Sequence, residues 1–276
     1  MRYVVDHDFH IHSRLSICSK HPEQTPENIL KYAEKNGLRK IVLTDHFWDE
    51  SVPMGIPPLE DGTFPKVVSF YQRQGYPHIK ENLPLPQGKN TKFLFGAEAE
   101  ITYKHQIGVS ERVLSELDFI IIPPTHLHMT YFAISEEDAK LPEARARVLL
   151  GKMRAILSAP LPFKKIGIAH FACSLIAPTH DEYLEVLRLL PEKELKEIFT
   201  RAADCGVGIE LNQKDFAYAD SEADIVLRPF LIAKSAGCKF YLGSDSHNPD
   251  GFKNAIARFN RAIDELSLKE TDKFIL

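Results

Sequence analysis

Apolar residues in this chain gather in short runs rather than long stripes. "YVVDH", "KIVLTDH", "KFLFGAEAEI", "LDFIII", "IGIAHF", "GVGIELN" and "KFYLGSDSH" are seven strand candidates, rich in Val, Ile, Leu and Phe. Runs that are almost wholly apolar fit strands covered on both faces, as in a parallel sheet. Between them lie stretches with helical spacing. In "TPENILKYAEKNG", Thr25 suits an N-cap, Pro26 the first helical position and Gly37 the C-terminal stop, while Ile29, Leu30, Ala33 and Leu38 form an apolar face. "SEEDAKLPEARARVLLGKMRAIL", "PEKELKEIFTRAADCG", "SEADIVLRPFLIAKSAG" and "FKNAIARFNRAIDEL" also read as helices. Repeated strand–helix units predict a right-handed parallel α/β fold, closed as a barrel.

One stretch breaks the pattern. Residues 51–91 are rich in Pro and Gly, with a single short helix expected in "PKVVSFYQRQ". Such a segment suits an insertion over one mouth of the barrel, where long loops serve as lids or specificity elements. The whole of 1–276 otherwise reads as one barrel domain.

Polar residues with ligand chemistry recur where the strands should end. "DFHIHS" places His10 and His12 two residues apart, on one strand face. "TDH" gives Asp45 and His46, "GAEAEI" gives Glu98 and Glu100, and "PPTHLH" gives His126 and His128. "AHF" supplies His170, "ELN" Glu210 and Asn212, and "SDSH" Asp245 and His247. Taken singly, each is ordinary strand-end polarity. Together they place at least six of the twelve histidines at strand ends, the face on which α/β barrels carry function. A set of many imidazoles and few carboxylates suits zinc, iron or manganese better than calcium or magnesium. Glu98 has two oxygens to bridge two ions, and Asp8 and Asp45 are expected to orient imidazoles from behind.

Composition narrows the class. The net charge is −4 and the pI about 6.3, which gives no electrostatic case for nucleic acid or anionic membranes. Cys18, Cys173, Cys205 and Cys238 lack CxxC spacing, so they form neither a disulfide framework nor a zinc knuckle. With no apolar run long enough for a signal peptide or a membrane span, the expectation is a cytoplasmic protein.

The order D-x-H-x-H, T-D-H, Glu, two separated His and S-D-x-H resembles the PHP (polymerase and histidinol phosphatase) family of metal-dependent phosphoesterases. The resemblance implies a distorted seven-stranded (β/α)7 TIM-like barrel with two or three divalent transition-metal ions. By motif, His10, His12, Glu98 and Asp245 would bind one ion, Glu98, His126 and His170 a second, and Cys18, His46 and His247 a third. Cys18 stands where relatives usually carry His or Asp, with His21 as the alternative ligand. His128 is the alternative to His126. The function so implied is hydrolysis of a small phosphomonoester, with Glu98, Asp245 and His247 at the reacting centre and Arg14 and Lys214 on the substrate. An amidohydrolase-type metal hydrolase and a PHP module without catalysis are the rival readings. Neither the general acid nor the oligomeric state follows from the sequence.

Overall fold

Buried β-branched and aromatic residues build the sheet, and the computed structural model describes them over all of residues 1–276. Its strands are β1 (His7–Ile11), β2 (Lys40–Leu43), β3 (His46–Phe47), β4 (Lys92–Ala99), β5 (Phe119–Ile122), β6 (Ile166–Ile168), β7 (Gly208–Asn212) and β8 (Lys239–Gly243). All neighbouring pairs are parallel, in the order β1-β2-β4-β5-β6-β7-β8. The remaining strand, β3, pairs with β4 one step beyond β2: Leu43 lies opposite Phe95, and His46 opposite Glu98. The second strand position is thus one strand in two pieces. The seven positions expected from the sequence form a nearly closed barrel, the PHP-type fold.

Outside the sheet run α1 (Pro26–Lys35), α2 (Lys66–Arg73), α3 (Tyr76–Ile79), α4 (Glu111–Glu116), α5 (Pro142–Ser158), α6 (His180–Leu189), α7 (Glu192–Cys205), α8 (Ala223–Ser235) and α9 (Ala255–Glu265). The Thr25 hydroxyl caps α1 by accepting from Asn28 N–H, and Gly206, at φ +74°, ends α7. The helix expected from Ser135 begins only at Pro142, with a 3₁₀ turn before it. Proline disfavours the α conformation in the residue before it and suits the first helical position, so the helix starts there. Helices α3, α4 and α6 were not read from the pattern. No helix is long and apolar enough to cross a membrane.

Two irregularities place side chains in the mouth. The β1 register slips between Asp8 and Ile11, and such a bulge re-aims side chains. Phe9 joins the aromatic plug inside the barrel with Phe119 and Tyr241, while His10 reaches carboxylates on β4 and β7. The second irregularity is the seam between β8 and β1, which has one isolated bridge, Ile11 to Ser246. Side chains of β1 replace the missing ladder: Leu242 N–H donates to His7 Nε2 at 3.1 Å, and Ser244 N–H to Asp8 Oδ1 at 2.9 Å. Burial pushes the Asp8 carboxyl up to about 7 despite these hydrogen bonds. Asp8 therefore closes the barrel rather than orienting an imidazole, contrary to the expectation from its position.

The 51–91 segment packs through Ile56, Val68 and Tyr71 against Trp48 and Phe132. Its helix α2 forms one wall of a cavity above the carboxyl ends of the strands.

Candidate metal centre

Glu98 is enclosed in the barrel mouth, with 1% of its surface exposed. Five imidazoles approach its carboxylate. Oε2 lies 3.4 Å from both His10 Nε2 and His12 Nε2, and 3.0 Å from His46 Nδ1. Oε1 lies 3.2 Å from His170 Nε2 and 3.8 Å from His126 Nε2. Asp245 Oδ1 joins from the β8 loop, 3.3 Å from His12 Nε2 and 3.6 Å from His10 Nε2. His247 stacks on His12 with ring centres 4.1 Å apart.

Several of these rings are fixed from behind, leaving the other nitrogen aimed inward. His10 Nδ1 pairs with Glu210 Oε1 at 2.8 Å, His126 Nδ1 with Glu100 Oε1 at 2.9 Å, and His170 Nδ1 with Thr125 Oγ1 at 2.7 Å. Ser16 Oγ stands 3.2 Å from His12 Nδ1, and the hydroxyl of Tyr71 donates to Glu100. Such supports set the tautomer and direction of a metal-binding imidazole. Asp45, expected in this role, instead accepts hydrogen bonds from the Ser13 amide and hydroxyl and from Asn82. Its nearest approach to a site imidazole is 4.0 Å, at His12 Nδ1. Glu210, Thr125 and Ser16 carried no signal that separated them from ordinary strand-end residues.

The arrangement fits cations. His10 Nε2 and His12 Nε2 face each other at 3.0 Å, and two imidazoles so close cannot both hold a proton there. Electrostatics divides them. Burial opposes charge on His10, but Glu210, Asp245 and Glu98 outweigh it and push the ring up to about 10. Burial and the neighbouring His247 hold His12 well below the usual range. Buried His46 Nδ1 makes no well-directed hydrogen bond although Glu98 Oε2 is 3.0 Å away, a close but poorly aligned approach that a shared ion would satisfy. Four sets of inward atoms lie close enough to share an ion: His10–His12–Glu98, Glu98–His126–His170, His12–His46–His247 and His10–His170–Asp245.

Two of these residues have left-handed backbones, His170 at φ +30° and Asp245 at φ +48°, uncommon for residues with a Cβ and concentrated at functional sites. Asp245 and His247, whose two-residue spacing would put both on one face of a strand, therefore do not lie on a strand. β8 has already ended at Gly243, and the turn at Asp245 brings both side chains to His12.

Cys18 lies beside His46 and His247. Burial alone would raise its thiol, but charge on His46 and a hydrogen bond with His247 bring it down to about 5. His21 is exposed, its ring accepting from Glu23 N–H; neither it nor Cys18 belongs to the four sets, and what separates them is that Cys18 alone touches His46 and His247. His128 packs edge-on against His126 at 5.4 Å, and burial and that neighbour push it down to about 4. It lines the cavity and, like His21, is absent from the sets. Lys214 donates to Asp245 Oδ2 at 2.8 Å. Arg14 also lines the cavity, whose volume is about 1450 Å³.

The barrel has a solved counterpart. It is similar to histidinol phosphate phosphatase from Lactococcus lactis subsp. lactis, whose crystal structure holds zinc, L-histidinol and phosphate. The TM-score is 0.58 with 18% identity, over 98% of this chain and 99% of that one. An inactive dihydroorotase-like domain of a Chaetomium thermophilum CAD-like multifunctional protein also aligns, with a TM-score of 0.41, 13% identity and coverage of 96% and 75%. No protein-family profile and no curated protein matches the sequence. The first likeness establishes the shared PHP-type barrel, and the second is too distant to add to it.

Proposed function

We propose that the chain is a metal-dependent phosphatase of small phosphomonoesters. The observation that carries this reading is the buried carboxylate of Glu98 among five imidazoles. His10, His12, Glu98 and Asp245 would hold one divalent ion, Glu98, His126 and His170 a second, and Cys18, His46 and His247 a third. The donors suit zinc, iron or manganese, and a thiolate at Cys18 favours zinc or ferrous iron. Such ions, when bound, supply a nucleophile at neutral pH and neutralise charge on phosphoryl oxygens.

The protein's own residues do the rest. Glu98 would offer one oxygen on the side of His10, His12 and His46 and the other on the side of His126 and His170, while Glu210 and Glu100 would keep His10 and His126 in the ligating tautomer. Asp245 offers one oxygen to the cluster and the other to Lys214, which holds that ammonium at the edge of the phosphate site. Arg14 provides the second cation. The Lactococcus neighbour, which holds zinc, L-histidinol and phosphate, supports the class of reaction, and L-histidinol phosphate serves as the reference ester in the assay.

The test is to strip the protein with chelator, reload it with zinc, manganese or iron, and measure metal content and phosphate release on one sample. Two or more ions per chain and metal-dependent release from phosphomonoesters are expected. Fewer than about one ion per chain after reloading, or no release from any ester, would overturn the reading.

A further inference from the structure

The cavity wall is sorted by charge. Its carboxylates are Glu98 and Asp245, both within the imidazole cluster, whereas five cations line it: Arg14, Lys20, Lys66, Arg73 and Lys214. Lys214 is paired with Asp245, and the other four are in no ion pair. In a chain of net charge −4, four unpaired cations around one opening make a local field opposite to that of the whole.

Their placement is not scattered. Lys66, Phe70 and Arg73 stand at i, i+4 and i+7 on α2, one face of the helix. That face lines the cavity, as do Val67 and Tyr71, while Val68 is buried among Trp48, Tyr71 and Phe132. Phe70 is 42% exposed, with the Arg73 guanidinium 5.8 Å from its ring centre. Tyr131 and Leu175 present further exposed apolar surface to the same space. The volume of about 1450 Å³ exceeds the roughly 300–1000 Å³ of ordinary small-ligand pockets, leaving room for a body beyond the scissile phosphate.

We infer that the substrate is a phosphomonoester with an apolar body and a second anionic group, a carboxylate or another phosphate, received by Lys66, Arg73 and Lys20. This rests on the phosphatase reading of the same site. A cationic leaving group, such as an amino alcohol, would meet no free carboxylate on the wall and would face like charge instead.

The test uses four esters that differ only at the far end: hexyl phosphate, 6-phosphonooxyhexanoate, hexane-1,6-diyl bisphosphate and 6-aminohexyl phosphate, with L-histidinol phosphate alongside. Each is assayed for kcat/KM on the zinc-loaded protein, and the matching phosphonates are assayed for affinity by calorimetry. The anionic ends should exceed the ammonium end by at least tenfold in both readouts, with the advantage shrinking as salt rises. The carboxylate and bisphosphate arms distinguish the two anion sources. In the exposed double variant Lys66→Ala/Arg73→Ala, that advantage should fall severalfold more than affinity for hexyl phosphonate, whose far end is uncharged. Equal affinity across the phosphonates, or preference for the ammonium, would overturn the inference whether or not any ester is hydrolysed. A retained anion preference without hydrolysis would support it and remove the phosphatase reading instead.

Discussion

Glu210 Oε1 lies 2.8 Å from His10 Nδ1, and both side chains are fully enclosed. The same carboxylate accepts from His170 N–H at 2.6 Å and from Asn212 Nδ2 at 3.1 Å. One residue of β7 thus braces two histidines of the cluster, His10 through its ring and His170 through its backbone.

In Glu210→Gln, an amide NH₂ must replace one of the two acceptor oxygens, facing either the His10 ring or His170 N–H. Zinc affinity, read by competition with a chromophoric chelator, should fall about 10–100-fold, with the circular dichroism spectrum retained. Gly243→Ala should act in the same direction, because a Cβ there would stand 1.8 Å from Glu210 Oε1. Wild-type affinity in both variants would show that Glu210 only fills the barrel.

Replacing Glu98 by Gln keeps its shape but removes a charge and one good oxygen donor. Metal content should drop, and phosphate release should fall by at least roughly a hundredfold. Unchanged turnover would move the bridging role to Glu100, which touches His46 and His126 but none of the other three rings around Glu98.

The position of Cys18 beside His46 and His247 predicts that Cys18→Ser weakens one metal site and spares the others. His21→Ala should leave all of them intact. Stoichiometry by elemental analysis, with the thiolate–metal band of a cobalt-substituted sample, separates the two. Loss of metal in His21→Ala alone would mean that the 18–21 loop refolds around the ion.

Lys152 on α5 is fully enclosed and donates to Ile101 O at 2.9 Å, and burial pushes its ammonium down to about 7. An unfolded lysine titrates near 10.4, so between about pH 7 and about pH 10 the unfolded chain holds a proton that the folded one lacks. Stability from this group therefore rises with pH across that window, by at most about 1.4 kcal/mol per unit. Below the window the folded protein carries the whole penalty of a buried charge. Lys152→Met removes the dependence. Its stability relative to wild type, from urea melts, should be most favourable at pH 7 and decline by pH 9. A pH-independent difference would contradict this.

The sequence showed the barrel because each strand is an apolar run whose end changes abruptly to His, Asp or Glu. It showed the cluster for the same reason: His10, His46 and Glu98 lie in strands, and His12, His170 and Asp245 within two residues of a strand's end. What it hid depends on irregular backbone. The slip that turns His10 inward beside Phe9, the broken second strand and the left-handed turn at Asp245 have no periodic signature. Helices α4 and α6 were missed because α4 is too short to show a period and α6 follows directly on a loop. Asp8 and Asp45 misled because adjacency to a ligand along the chain says little about which face a side chain takes at a bulge or a break.

The seam between β1 and β8 has a consequence for the order of assembly. Its partners, such as Leu242 and His7, lie 235 residues apart, whereas the other strand pairs join elements close in sequence. Loop-closure entropy makes so distant a pairing late and slow. On a ribosome, His10, His12, His46, Glu98, His126 and His170 all emerge before Asp245 and His247. The cluster is then a half-built cradle until β8 docks, and completing the fold and completing the cradle become one event.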